Sequence, residues 1–352
     1  MIKIIALFIL IVGLVAGLYL VQHPQIFKPK ASESQPNGDG FRKVVTLQKG
    51  FAIELSPVER IPSNELFKIL EPKWVRFVYF SDKAIPSSLP SDVKILLALN
   101  NQANATVANI PTHSSTDPNY QSWEDYGPQE SAWWKDYTDK IWLPFLNDVL
   151  KNEQISRVDT LQIWNEEDLC TAPTGDCIPA DAYAYMLKKS AQKIKEFNPK
   201  LKVIMGGVAS GQPSYIENMK KAYPDVFSQV DAIGLHPYGK SPDGWCQYKN
   251  QQPICDVYDL PFGDLAESIQ TYKAVSGLPV WIDEFGKEGP EDYQAEYLKR
   301  IFSVFTKEKV PVAIWYSWSD NMVATNGKVS HFGLTDTQGA LKEVGIEFRH
   351  IR

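Results

Sequence analysis

Val280-Trp281-Ile282-Asp283-Glu284-Phe285-Gly286 is a short apolar run that closes on two carboxylates and a glycine. It is too short for a typical helix and has no polar face, which is the pattern of a strand covered on both sides in a parallel sheet. A second run of the same kind, Asp159 to Trp164, ends in Trp164-Asn165-Glu166. Two carboxylates are therefore expected at the ends of separate strands. Outward from these, further strand candidates are Phe51 to Ser56, Trp74 to Phe80, Val93 to Asn100, Lys202 to Gly207, Asp231 to His236 and Val312 to Ser317. Helical patterns lie between them, for example Ser131 to Leu150, Pro179 to Phe197, Asp264 to Val275 and Pro290 to Lys307.

Eight strands alternating with helices over about 300 residues predict an α/β fold, a (β/α)8 TIM barrel. An open doubly wound sheet would want a glycine-rich phosphate turn after its first strand, and Pro57-Val58-Glu59-Arg60 supplies none. No repeat of 20 to 50 residues underlies the alternation.

Composition narrows the function. With 44% hydrophobic, 12% aromatic and 22% charged residues, the chain can bury a large core. A net charge of −6 argues against nucleic acid as a partner, because binding phosphates wants a basic stripe.

The N-terminus carries Lys3 and an uncharged apolar run from Ile4 to Val21. As a helix that run would be about 27 Å long, marginally enough to span a bilayer. It reads as an N-terminal hydrophobic helix, residues 1–21, acting as signal anchor or signal peptide and bringing the chain to a membrane. Val15-Ala16-Gly17 offers small residues for cleavage, while continued apolarity to Val21 favours retention. Residues 22–40 have linker composition, so the folded domain is expected over residues 41–352 as a monomer. The cysteines form two close pairs, Cys170 with Cys177 and Cys246 with Cys255. Pairing within each cluster is the simplest connectivity and fits an oxidising, extracytoplasmic compartment. Their spacings of seven and nine residues match no C-x-x-C zinc ligand pair. Asn104-Ala105-Thr106 is a glycosylation sequon.

In a barrel the residues at the C-terminal strand ends form one surface. Here that surface would collect Arg76 from strand two, Asn100 and Asn101 from strand three, and Asn165 and Glu166 from strand four. His236 and Tyr238 would come from strand six, Asp283 and Glu284 from strand seven, and Tyr316, Trp318 and Asp320 from strand eight. The chain resembles a retaining glycoside hydrolase of clan A, the group of cellulase-like, xylanase and family 39-type xylosidase enzymes. The resemblance covers Phe51 to about Trp318 and rests on Asn165-Glu166, Glu284, the His-x-Tyr of His236 and Tyr238, and Trp318. It implies Glu166 as acid/base and Glu284 as nucleophile in O-glycosidic bond hydrolysis. Glu167 stands where the clan has proline, and Asp283 precedes the nucleophile, so the family within the clan is blurred.

The chemistry of the residues points the same way. Retaining cleavage needs two carboxyl groups about 5 to 5.5 Å apart, one to attack the anomeric carbon and one to protonate the leaving oxygen. Asn165 could donate to the sugar 2-OH, Arg76 and Tyr238 could hold Glu284 ionised, and Trp318 could present a flat face to the ring. No metal or other cofactor is needed, and the only expected small partner is a carbohydrate. Alternatives are a non-catalytic carbohydrate-binding protein on the same barrel, a transglycosylase, or a metalloenzyme, which would want more strand-end histidines than His236. Arg76 could instead be a structural ion-pair partner and His236 a hydrogen-bonded barrel histidine. Glu167 and Asp168 are second candidates for the acid, otherwise solvated. Trp133, Trp134 and Trp142 have core spacing, as does the nearby Trp123, and Trp245 in the second cysteine loop could line a subsite.

Overall fold

The structure, a computed structural model, describes residues 45–53, 61–79, 85–99, 130–168, 178–209, 213–238, 248–249, 252–253, 265–320 and 331–351. The apolar run at residues 4–21, the linker, Asn100, Asn101, the sequon, Trp123, Trp245 and all four cysteines lie outside them. Among the described residues no helix is long and apolar enough to cross a membrane.

Eight parallel strands close into one barrel: β1 (Gln48–Ala52), β2 (Trp74–Val78), β3 (Lys94–Leu99), β4 (Thr160–Ile163), β5 (Lys202–Val208), β6 (Ala232–Leu235), β7 (Val280–Phe285) and β8 (Val312–Trp315). Each pairs with its chain neighbours, and β1 closes the ring on β8 with Gln48 opposite Val312 and Phe51 opposite Trp315. This is the TIM barrel expected from the alternation. The largest boundary difference is in β1, which begins three residues before the predicted Phe51. Lys49 and Gly50 interrupt the apolar pattern there and hide the strand start.

Alternate strand residues face inward, as the pleat requires. Ala52, Trp74, Leu96, Ile204, Ala232, Trp281, Val312 and Ile314 fill the lower barrel, with Trp74 and Trp281 edge to face at 5.1 Å. The outward residues of the strands join the helices in a second, larger cluster. Those helices are α1 (Asn64–Leu70), α2 (Ser131–Tyr137), α3 (Leu143–Lys151), α4 (Ala180–Phe197), α5 (Ser214–Ala222), α6 (Leu265–Ser276), α7 (Glu291–Lys307) and α8 (Glu343–His350). The helix expected over Ser131 to Leu150 is continuous but contains a π turn at Thr138–Trp142. Pro144, in the first turn of α3, cannot donate a backbone bond, and the Leu143 N–H reaches back to Thr138 O in a wider turn.

The barrel is tied at both ends by buried lysines. Lys49 donates from β1 to the carbonyls of Phe348, Arg349 and Ile351, satisfying orphan acceptors at the end of α8, and burial lowers its pKa to about 8. Above β8, Lys342 pairs with Asp320 at 3.0 Å, and the same Asp320 oxygen accepts from Gly333 N at 2.7 Å. Asp320 therefore holds the returning segment 331–335 against the mouth of the barrel.

Candidate active site

The site begins where β4 ends. Trp164 is fully buried, edge-on to Trp134 at 5.8 Å and to Trp142 at 5.4 Å, so these tryptophans are core residues, as their spacing indicated. Trp164 and Glu166 both adopt left-handed backbone, with φ of 70° and 50°. Such conformations cost about 1–2 kcal/mol for a residue with a side chain. The tight turn they make leaves Asn165 and Glu166 partly open while Glu167 and Asp168 turn inward.

Glu284, at the end of β7, is held from two sides. Arg76 of β2 donates from Nη1 to Oε2 at 2.7 Å, and the Tyr238 hydroxyl donates to Oε1 at 3.0 Å. The side chain of Glu284 is 13% exposed and that of Arg76 is 3% exposed. Burial opposes the Arg76 charge, but the carboxylates of Glu284 and Asp283 outweigh it and raise its pKa. Burial, then the Glu284 charge, pushes the Tyr238 phenol well above its ordinary range, so it remains a donor. Both contacts match the expected support of Glu284, and Arg76 is at the same time the buried ion-pair partner of the alternative reading.

Arg76 also organises the amides. Its Nη2 donates to Asn165 Oδ1 at 2.8 Å and its Nε to Gln162 Oε1 at 3.0 Å. A guanidinium has no acceptor, so it can meet only the amide oxygens. That turns the Asn165 nitrogen away from Arg76, so its N–H groups point elsewhere as donors. Gln162 went unnoticed in the sequence reading; the signal was a fully buried polar residue inside the strand Thr160-Leu161-Gln162-Ile163.

His236, 1% exposed, lies between two carboxyl groups. Its Nδ1 is 2.9 Å from Glu166 Oε1 and its Nε2 is 3.3 Å from Asp283 Oδ2. Burial alone would lower its pKa, but the charges of Asp283 and Glu284 and hydrogen bonds to Asp283 and Glu166 raise it well above the usual histidine value. Two glycines make the room. A Cβ on Gly207 of β5 would stand 2.0 Å from the His236 ring, and one on Gly234 of β6 would stand 2.7 Å from Asp283 Oδ1.

Glu167 and Asp168 are not solvated, which corrects the expectation that outside the acid role they would face water. Glu167 is 0% exposed and among the described residues neither of its carboxyl oxygens has a hydrogen-bond partner; Asp168 is 5% exposed and accepts from Ala209 N. Burial first, then the Asp168 charge, raises the Glu167 pKa well above the ordinary carboxyl value. The fold therefore holds this proton more tightly than the unfolded chain does, so its contribution to stability falls as pH rises above the unfolded value. In denaturant titrations, Glu167→Gln should gain on the wild type as pH climbs from about 4.5 toward 7. A stability difference constant with pH would show that Glu167 is ionised in the fold.

Trp318, at 7% exposure, packs into the large core cluster, so little of its ring is open to a sugar. Phe332, unforeseen from the sequence because it follows β8 by seventeen residues, stands edge to face with Tyr238 at 6.2 Å and Tyr316 at 6.1 Å. It places an aromatic wall beside Glu284. Glu166, His236 and Glu284 each present one ligand atom within 4.8 Å of the others, the only such group among the described residues. Arg76 already neutralises Glu284, and a divalent cation there would face the guanidinium, so the arrangement suits a carboxyl pair better than a metal.

A closed parallel barrel whose C-terminal mouth carries paired, partly open carboxyls is an arrangement suited to glycoside hydrolysis. The family model described as the glycosyl hydrolase catalytic core matches residues 119–348, and the chain belongs to that family. No curated protein matches it in sequence. Solved structures similar to it include an endo-β-1,3-glucanase from Amycolatopsis mediterranei in complex with laminarihexaose, with a TM-score of 0.53 at 13% identity over 87% of this chain and 99% of that one. A broad specificity endoglucanase from Clostridium acetobutylicum gives 0.52 at 15% identity over 86% and 96%. A glucosidase from Croceicoccus marinus gives 0.55 at 11% identity over 87% and 67%. At these identities the likeness speaks for the fold.

Proposed function

We propose that this glycosidase cleaves β-linked glucan oligo- or polysaccharides with retention, using Glu284 as nucleophile and Glu166 as acid/base. The observation that carries the reading is the approach of the two carboxyls, whose nearest ligand atoms lie within 4.8 Å. That favours the separation of about 5 to 5.5 Å used for direct attack over the roughly 6.5–9.5 Å that leaves room for a water. Glu284, oriented by Arg76 and Tyr238, attacks the anomeric carbon as Glu166 passes its proton to the departing oxygen. In the second half, water gives a proton to the ionised Glu166 and displaces Glu284. The Asn165 amide nitrogen donates to the sugar 2-OH, a contact that tightens as the ring becomes oxocarbenium-like.

The substrate class rests on the solved neighbours, several of which are β-glucanases by name, and on the aromatic wall of Tyr238, Tyr316 and Phe332. The apolar run at residues 4–21 and the two close cysteine pairs support an extracytoplasmic, membrane-tethered or secreted enzyme. The test is a screen of β-glucans and aryl β-glycosides, followed by a fluorosugar that traps the glycosyl-enzyme and by peptide mapping. Label on Glu284 is expected; turnover with label on another carboxyl, or product of inverted configuration, removes the assignment.

A further inference from the structure

Behind the two glutamates lies a buried pair that the double displacement does not use. Asp283 is 0% exposed; among the described residues its Oδ2 meets only His236 Nε2 and its Oδ1 has no hydrogen-bond partner. A carboxyl group so deeply desolvated would cost several kcal/mol unless compensated, and the imidazole is the compensation at hand. The other ring nitrogen of His236 meets the acid/base glutamate itself. The glycine gaps at Gly207 of β5 and Gly234 of β6 leave the room that this stack occupies.

We propose that Asp283 is a positioning residue for Glu166: by pairing with His236 Nε2 it fixes the ring with both nitrogens donating, so that Nδ1–H occupies Glu166 Oε1 and the transferable proton sits on Oε2. This rests on Glu166 being the acid. During glycosylation the Oε2 proton moves to the leaving oxygen as the old C–O bond breaks and the bond to Glu284 forms; His236 keeps both protons throughout. The ionised Glu166 that results is then stabilised by the imidazolium until water returns a proton. Without the Asp283 charge, a neutral ring would turn its Nδ1 lone pair to Glu166 and draw the acid proton onto Oε1, away from the substrate.

Several charged or titratable groups surround His236. Glu166 and Glu167 come from the turn after β4, with Asp168 acting on Glu167, Asp283 and Glu284 from β7, Tyr238 follows β6, and Arg76 of β2 acts through Glu284. Among the described residues only Asp283 and Glu166 touch the ring nitrogens.

The experiment compares Asp283→Asn with the wild type across pH, on dinitrophenyl and methyl β-glycosides of the glucan oligosaccharide selected by the screen. With the methyl glycoside, which needs full proton donation, the alkaline limb of kcat/KM should move down by about one pH unit or more. At pH 7 the loss should be about tenfold or greater, and much smaller with dinitrophenol as leaving group. Superimposable profiles, or equal losses with both leaving groups, overturn the proposal. If the variant does not fold, nitrogen-15 imidazole shifts of wild-type His236 decide the matter. Two protonated nitrogens at pH 7 support the pairing, and one protonated nitrogen overturns it. Fluorosugar labelling of Glu284 in the wild type is independent of both, so a failed pairing leaves the glycosidase reading intact and a failed label removes it.

Discussion

Glu284→Gln is expected to lower kcat by roughly 10⁴-fold or more while the protein remains folded, because the step that forms the glycosyl-enzyme loses its nucleophile. The amide can keep the local contacts. Its oxygen can still accept from Arg76 Nη1, and its nitrogen can face the Tyr238 hydroxyl, which then accepts instead of donating. What is lost is the charge that compensates a guanidinium only 3% exposed. Exchanging a charge-assisted hydrogen bond for a neutral one should cost about 1–2 kcal/mol. Single-turnover kinetics beside a thermal melt separate the two effects. Near-normal turnover in this variant would eliminate Glu284, whereas global unfolding would show that its main duty is to neutralise Arg76.

Glu166→Ala should act differently on different substrates. With a poor leaving group the first step needs the proton, and kcat/KM should drop by about 10²–10⁴-fold. With dinitrophenol as leaving group the first step should hardly change, while the second slows because no base activates water. Azide, which needs no deprotonation, should then restore turnover and yield a β-configured glycosyl azide. Failure of azide to rescue would shift the acid/base role to another group. The two acidic neighbours are poorly placed to take it, since Glu167 is fully buried and Asp168 is occupied by the Ala209 amide. The same truncation leaves His236 Nδ1 without its carboxyl partner.

Much of this architecture could be read from the chain. Uniformly apolar runs of strand length, separated by helical patterns, have few ways to cover both faces of every strand, and a closed barrel is the one that leaves no edge. Carboxyl groups following such strands must then gather at one mouth, which is why Glu166, Glu284, Arg76 and Tyr238 could be placed before any coordinate. The errors occurred where local pattern is silent. The β1 start was masked by Lys49 and Gly50, and the π turn follows from Pro144, whose effect on a neighbouring turn depends on whether the helix continues around it.

The chain by itself determined the barrel, the order of its strands and the strand ends that carry carboxyl groups, because burial periodicity and turn spacing are local properties. Only the tertiary structure decided which of those acids are open and which are locked inside. Glu166 and Glu167 are adjacent in sequence, yet one faces the mouth with 18% of its side chain exposed and the other is fully buried. Two left-handed residues direct that turn, and glycines on two other strands make room for His236 and Asp283. Desolvation and the distances between charges on different strands are set by packing across the barrel, so the partners of Glu166 and Glu284 emerge only when the ring of strands is closed.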